Sequence, residues 1–403
     1  MATETIELRG HIVDSLLLAK VLDVIVDAGV AYELADVEIG RTNADVSSAR
    51  IELEGDEVTL NRLVDDLQVH GVNRVASGTT NLVPADQDGV LPAGFYSTTN
   101  LATDVLVDGH WEPVENPEMD CGIVVTNGRV RTIPMHQVRS GDQIVVGSGG
   151  VRVHAPSKQR GASAFEFMNS EVSSEKPKAL IVQEVAARMR AAHETGGRIL
   201  AVCGPAVVHT GGAPDIARLV EAGWIDLLFA GNGFATHDIE SYVLGTSLGV
   251  SVSEGTPTEG GHSNHLRVIN EVRRHGSISA AVEAGYITGG VMATCVRRAV
   301  PFVLGGSIRD DGPLPDVHTD TAVAADAMRD AIPGVTVALM LATTLHAIAV
   351  GNCLPATVET FCVDINQAVV TKLADRGSHQ AMGIVTDVGP FIARLADALC
   401  GPA

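Results

Sequence analysis

Aromatic and lysine side chains are what this chain of 403 residues has least of. Phe, Trp and Tyr together make up 3% of it. Proteins that stack the bases of single strands need such rings, so that class is disfavoured. Five residues are lysine, and the formal net charge is −21. An acidic surface of this kind repels phosphate backbones and anionic lipid, so neither nucleic acid nor a membrane is an expected partner. The six cysteines, Cys121, Cys203, Cys295, Cys353, Cys362 and Cys400, show no CxxC spacing. They read as reduced, mostly buried thiols, with no disulfide framework and no metal expected. The N-terminus, MATETIELRG, lacks a basic and then apolar leader, so no signal peptide is expected. The longest apolar run, Val335–Val350, is broken by Thr343, Thr344 and His346 and is short of the roughly 20 residues of a bilayer span. These features suit a cytoplasmic protein. The G-x-G-x-x-G fingerprint is also missing from every strand-to-helix junction, which excludes a conventional dinucleotide domain.

What is present is glycine, 42 residues of it, within a chain that is 45% apolar. That composition suits a well-packed α/β protein of about two or three domains. Residues 5–10 alternate as a strand. Val13–Ala28 carries Leu16, Leu17, Val21, Leu22, Val24 and Ile25 at helical spacing. Strands over Ala31–Ile39 and Ser47–Leu53, a helix over Glu57–Val69 and a short strand near Val72–Val75 complete the order βαββαβ. This predicts a ferredoxin-like α+β domain over residues 1–92. Over residues 93–172 short β runs predict a small β-rich domain: Thr103–Val107, Gly122–Thr126, Arg129–Pro134, Gln143–Val146 and Gly150–His154. Asn127-Gly128 is its hairpin signal. From 173 to 403 helices and strands alternate. Strands are expected at Arg198–Cys203, Ile225–Ala230, Pro301–Leu304, Val335–Leu341, Val358–Val363 and Met382–Thr386. The pattern is that of a Rossmann-like parallel sheet covered on both faces.

Ligands of open parallel sheets sit outside the carboxyl ends of the strands. The stretch Trp224–Glu240, WIDLLFAGNGFATHDIE, reads as a buried strand, a tight Gly231-Asn232-Gly233 turn and a helix opening near Ala235. Glycines at such a junction let a phosphate reach the helix N–H groups. Four other expected strand ends carry polar groups: Arg309-Asp310-Asp311 beyond Gly305-Gly306, Thr343-Thr344-Leu345-His346, Asp364, and Asp387. A strand-end carboxylate accepts hydrogen bonds from a ribose hydroxyl pair and repels a 2′-phosphate, which favours NAD over NADP. Each Asp or Thr alone is also an ordinary helix cap; together on one rim they point to a nucleotide. His262 and His265, in GGHSNHL, are spaced to share a helix face and suit proton transfer. Lys158, Arg160, Glu175 and Lys176 lie in a charged linker.

Several stretches resemble one family: FYSTTN (95–100), FMNSEVSSEKP (167–177), GPAVVHTGG (204–212), LFAGNGFATHDIE (228–240), GGHSNH (260–265) and GGSIRDDGPLPD (305–316). They are similar to the archaeal-type ornithine cyclodeaminases, also known as the LOR/SDH type. The same sequence forms the C-terminal part of cyanobacterial bifunctional arginine dihydrolase/ornithine cyclodeaminases. The resemblance covers nearly the whole chain. It implies a nucleotide domain like that of deoxyhypusine synthase, which would account for the missing fingerprint. It implies NAD at Asn232, Gly233, Asp311, Thr343, Thr344, Leu345, His346, Asp364, Asp387 and Val388. It implies conversion of L-ornithine to L-proline and ammonia, in a homodimer or tetramer. No arginine dihydrolase module is visible, so that second activity is not expected.

In the implied reaction the cofactor takes a hydride from Cα, the δ-amine closes the ring, ammonia leaves and the hydride returns. Ring closure is intramolecular and therefore fast. Arg309 or Arg160 would hold the substrate carboxylate. His262, His265 or Lys176 would serve as base, and Asp310 or Glu175 would orient the diamine. Two rivals stay open, a saccharopine-type or other NAD-dependent amino-acid dehydrogenase and a non-catalytic NAD- or amino-acid-sensing protein. Transfer chemistry like that of deoxyhypusine synthase needs a nucleophilic lysine in the nucleotide domain, and after Lys178 there is only Lys372, expected mid-helix.

Overall fold

The computed structural model describes residues 2–13, 17–41, 45–68, 70–75, 78–155, 178–247, 250–251, 263–310, 312–375 and 381–402. The chain divides into two compact units. One comprises residues 1–169 with 352–357, the other residues 170–351 with 358–403.

The first unit opens with β1 (Ala2–Gly10), α1 (Leu17–Asp27), β2 (Ala31–Glu38), β3 (Ser47–Gly55), α2 (Glu57–Gln68) and β4 (Val72–Arg74). Their antiparallel sheet has the order β2-β3-β1-β4, the ferredoxin-like arrangement. The residue pattern explains it. Along β3, Ala49, Ile51 and Leu53 are buried while Arg50, Glu52 and Glu54 face out, the two-residue period of a strand with one wet face. In α2, Leu60, Leu63, Val64 and Leu67 form the buried stripe at helical spacing. The edge strand β2 is exposed along its whole length, and its pairing with β3 slips between Leu34 and Asp36.

The β-rich part holds β5 (Asn81–Pro84), β6 (Thr103–Val107), β7 (His110–Pro113), β8 (Gly122–Thr126), β9 (Arg129–Ile133), β10 (Gln143–Val146) and β11 (Val151–Val153). They form two sheets, β5-β10-β8-β9 and β11-β6-β7. Asn127 and Gly128 both take positive φ, 52° and 78°, between β8 and β9, as a two-residue hairpin turn requires. Asp108-Gly109 does the same between β6 and β7, at 49° and 81°. That second Asp-Gly signal was present in the sequence and β7 was not expected from it. Nor was β5, which pairs with β10 although it precedes residue 93.

The second unit begins α3 (Lys178–Glu194), β12 (Arg198–Cys203), α4 (Ala206–His209), α5 (Ala213–Glu221), β13 (Leu227–Gly231), α6 (Asn232–Leu244) and a hairpin of β14 (Thr246–Ser247) and β15 (Val250–Ser251). It continues α7 (Asn264–His275), α8 (Ile278–Glu283), α9 (Gly290–Arg297), β16 (Phe302–Gly305), β17 (Val317–His318), α10 (Thr321–Ala331) and β18 (Val335–Leu341). It ends α11 (Leu345–Cys353), β19 (Glu359–Asp364), α12 (Gln367–Asp375), β20 (Ala381–Val385) and α13 (Val388–Cys400). Seven strands make one sheet of order β17-β16-β13-β12-β18-β19-β20, and every pairing in it is parallel. Strands β12 and β13 are buried almost throughout, as in a parallel sheet covered on both faces. The order runs outward from β12, then returns to β18 on its other side, so the switch point lies between those two strands.

One sequence expectation is corrected here. Gly231-Asn232-Gly233 is not a turn before a helix at Ala235; α6 starts at Asn232 with Gly231 as its extended cap. The buried Asn232 side chain ties this start to a distant loop. Its Oδ1 accepts the Leu314 amide at 3.0 Å and the Thr236 hydroxyl at 3.4 Å, so it serves its own first turn.

At the switch point the backbones nearly touch. A Cβ on Gly204 would stand 1.9 Å from the Ala342 carbonyl oxygen, and Ala342 itself takes a φ of 47°. Only glycine fits. Gly204→Ala is therefore expected to lower the unfolding free energy by about 1–3 kcal/mol or more through overpacking, measured by urea titration. An unchanged midpoint would mean that the strand ends can separate at no cost.

Candidate active site

The parallel ladder brings the expected strand ends to one edge of the sheet. Gly204 follows β12, Gly231 ends β13, Gly305-Gly306 ends β16, Thr343-Thr344 follows β18, Asp364 ends β19 and Asp387 follows β20. The first turn of α6 has no side-chain cap, so its N–H groups face the rim with their partial positive charge. Gly233 packs close to Pro205, where a Cβ would meet the ring at 3.2 Å. The His346 ring reaches from α11 across the ends of β13 and β16. A Cβ on Gly231 would lie 2.7 Å from its Cε1, and one on Gly305 would lie 3.3 Å from its Nε2. Burial holds the His346 imidazole below its ordinary value, with the Asp310 charge opposing. The ring is thus biased towards its neutral form.

On the other half of the rim Asp364 is buried, and its Oδ1 accepts the Asn366 amide at 2.8 Å. Asp387 caps α13 by accepting the Gly389 amide at 3.1 Å. Each carboxylate thus serves as a local cap through one oxygen and keeps a second for another donor. Thr343 and Val388 are buried and Thr344 is half-buried; Leu345 is the first residue of α11. Beyond β16, Asp310 folds its own loop by accepting the Ser307 amide at 2.8 Å. Arg309 is exposed, and Ile308 beside it is exposed completely. His262, Lys176, Glu175, Arg160, Lys158 and Asp311 lie outside the described residues.

His265, on α7, belongs to a row of three imidazoles. The His209 and His237 ring centres are 4.9 Å apart, and those of His237 and His265 are 6.4 Å apart. His237 Nδ1 lies 2.9 Å from Glu240 Oε2. Glu240 is fully buried, and its Oε1 accepts the Thr246 hydroxyl at 2.8 Å. Thr246 Oγ1 in turn accepts the Asn264 amide at 2.9 Å. His209 Nδ1 pairs with Ser247 Oγ at 2.7 Å. Burial and the neighbouring His237 push the His209 value down, while Glu240 opposes. Sequence reasoning nominated His262 and His265 and passed over His209, His237 and Glu240. The signal was in THDIE: a His and a Glu three apart share a helix face. Among the described residues no group of three His, Cys, Asp or Glu is arranged to hold a metal ion. No helix among them is long and apolar enough to cross a membrane.

Comparison with known proteins adds the following. Residues 183–395 match the family described as arginine dihydrolase ArgZ-like, C-terminal, Rossmann fold, and residues 102–182 match the first region of that C-terminal part. Residues 3–101 match the LOR/SDH bifunctional enzyme conserved region. An ornithine cyclodeaminase of Methanopyrus kandleri is 48% identical over 400 residues, covering 98% of this chain and 97% of its own. The crystal structure of a conserved LOR/SDH protein from Methanococcus maripaludis is 49% identical, with a TM-score of 0.75 over 80% of this chain and 98% of that one. The structure of AgrE in ternary complex with ornithine and NAD+ is 39% identical, with a TM-score of 0.54 over 99% of this chain and 57% of that one.

Asp238, the neighbour of His237, generates a prediction of its own. It is fully buried and accepts the Val291 and Met292 amides, both at 2.9 Å, at the start of α9. Burial outweighs those bonds and raises its carboxyl from 3.8 to about 6. The folded protein then binds this proton more tightly than the unfolded chain. Its contribution is complete below about pH 4 and is lost as pH rises through about 6. The unfolding free energy of wild type minus that of Asp238→Asn should fall by on the order of 2–3 kcal/mol between those limits. Urea titrations at a series of pH values check this; a flat difference refutes it.

Proposed function

We propose, from the premise that this chain belongs to the archaeal-type ornithine cyclodeaminase family of LOR/SDH proteins, that it binds NAD on the strand-end rim and converts L-ornithine to L-proline and ammonia. The observation that carries the reading is the rim itself: an uncapped helix start among glycines on one half and two strand-end carboxylates on the other. That is the complement of a dinucleotide, with phosphates at N–H groups and ribose hydroxyls at carboxylates. The uncapped α6 start and the two strand-end carboxylates are the donors and acceptors such a group needs, so the residues present suit it.

Asp364 and Asp387 accept ribose hydroxyls through their second oxygens and disfavour a 2′-phosphate. Thr343, Thr344, Leu345 and the α6 start with Asn232 and Gly233 hold the pyrophosphate. Asp311, His346 and Val388 complete the set. When bound, NAD supplies reversible two-electron oxidation of the substrate Cα and is not consumed. The chain supplies the rest. Arg309 or Arg160 meets the substrate carboxylate, Asp310 or Glu175 orients the diamine, and His265, His262 or Lys176 handles protons. The neutral His346 closes the rim without adding positive charge beside a cationic substrate. None of the six cysteines is in a disulfide and five are buried, which supports a reducing, cytoplasmic setting. A homo-oligomer is part of the same proposal.

A second reading draws on the N-terminal match, whose description also covers the saccharopine dehydrogenase line: an NAD-dependent amino-acid dehydrogenase. One assay separates the two. Purified protein with L-ornithine and NAD should form proline and ammonia in equal amounts without rising NADH absorbance. Accumulating NADH would instead assign a dehydrogenase. Asp364→Ala and Asp387→Ala should each weaken NAD binding about tenfold, the loss of one charge-assisted hydrogen bond. Calorimetric titration checks this, and unchanged affinity would remove that residue from the NAD site.

A further inference from the structure

We infer that His237, oriented by the buried Glu240 and flanked by His209 and His265, is the group that takes protons from the substrate ammonium groups. The inference rests on the cyclodeaminase reading and gives the proton-accepting role, there divided among His262, His265 and Lys176, to a residue outside that set.

Place comes first. His237 lies on α6 about 7–8 Å along the axis from Asn232, at 1.5 Å per residue. His209 closes α4, which starts directly after Gly204-Pro205. Two contacts tie this short helix to the rim. Pro205 packs on Gly233, and the Thr210 carbonyl oxygen lies 2.7 Å from where Gly389 would carry a Cβ. Gly389 is the second residue of α13, whose cap is Asp387. The short helix that ends in His209 therefore stands beside both halves of the rim.

The chemistry follows from the hydrogen bonds. An ionised carboxylate only accepts, so the ring nitrogen facing Glu240 carries the proton. With Glu240 ionised, the 2.9 Å contact has His237 Nδ1–H donating to Oε2, which puts the ring's lone pair on Nε2. Glu240 cannot rotate away, because Thr246 and Asn264 hold its other oxygen in a chain. This is how a carboxylate fixes the tautomer of an imidazole and stabilises the imidazolium that forms. Among the described residues, the groups facing His237 are His209 from α4, His265 from α7 and Glu240 from its own helix; Asp238 is engaged with the start of α9. His209 is kept towards its neutral form, so the flank does not repel a diamine cation.

The protons balance over the turnover, with water as the intermediate store. Ornithine loses one proton from its α-ammonium before oxidation at Cα and one from its δ-ammonium before ring closure. Two protons return, one to the departing ammonia, which leaves as ammonium, and one to the ring nitrogen of proline. Both losses precede both returns, so His237 Nε2, an imidazolium beside Glu240 after the first, gives that proton to water before it accepts the second, and the two returning protons come back by the same route. Glu240 is a positioning residue that acts through His237.

The test compares wild type, His237→Gln, His237→Ala and Glu240→Gln, with NAD affinity measured for each. Proline formation by His237→Gln should fall about 10²–10⁴-fold, with the NAD dissociation constant within about twofold of wild type. His237→Ala should regain activity with added imidazole, which a merely structural role would not permit. Glu240→Gln should fall about 10–100-fold and displace the acid limb of the kcat/KM profile. Active wild type, with His237→Gln within about threefold of it, overturns the inference and leaves the cyclodeaminase reading standing. So does a His237→Ala that binds NAD but gains nothing from imidazole. A wild type that forms no proline overturns both.

Discussion

Parallel pairing is the constraint on which the site depends. Every strand of the seven-stranded ladder runs the same way, so every strand gives up its chain at the same edge. Residues as far apart in sequence as Gly204 and Asp387 become neighbours of one rim without any specific attraction between them. What those ends can hold is then decided by how closely they approach. Between β12 and β18 they meet at van der Waals contact, through a glycine. Between β13 and β16 two glycines leave room for the single ring of His346. Small residues set the shape of this rim, and a few polar ones give it chemistry.

Helix α6 shows how one element serves two ends. Asp238 and Glu240 are both fully buried, yet residues two apart on a helix point in different directions. Asp238 faces α9 and satisfies two amides that would otherwise be buried without partners. Glu240 faces the histidines. The first is structural and holds the second in place, since the packing of α6 against α9 fixes the helix from which His237 projects. Burial acts oppositely on the chemistry beside them. It makes Cys295, whose thiol is raised to about 12 by burial and by the Asp238 charge, an unreactive neighbour, while it keeps His209 towards the form that can take up a proton.

Much of the fold was legible because its signals are local and repeated. Strands β12 and β18 fall where apolar runs between glycines and helices predicted them, and Asn127-Gly128 marks its hairpin by a backbone conformation few other residues accept. The rim was legible for the same reason, since strand ends follow from strand positions. What was not legible depends on distant partners. The first residue of α6, Asn232, is tied to an amide of Leu314, eighty-two residues away. The histidine row draws its members from α4, α6 and α7, and no spacing in the chain announces that His209 stands beside His237. The pairing of His237 with Glu240 was within reach, at three residues. It was outweighed by the more conspicuous GGHSNH.

The open edge of the ferredoxin-like sheet carries a consequence for how copies of the chain can meet. Strand β2 offers eight exposed residues and an unpaired row of backbone groups, which is ordinarily an invitation to a further strand. Here Glu33, Asp36 and Glu38 line it, and the slip between Leu34 and Asp36 bends its ladder. Two such edges brought together would set carboxylate against carboxylate across mismatched registers. The carboxylates and the slip thereby disfavour this edge as a strand-to-strand seam between copies, although nothing among the described residues covers it.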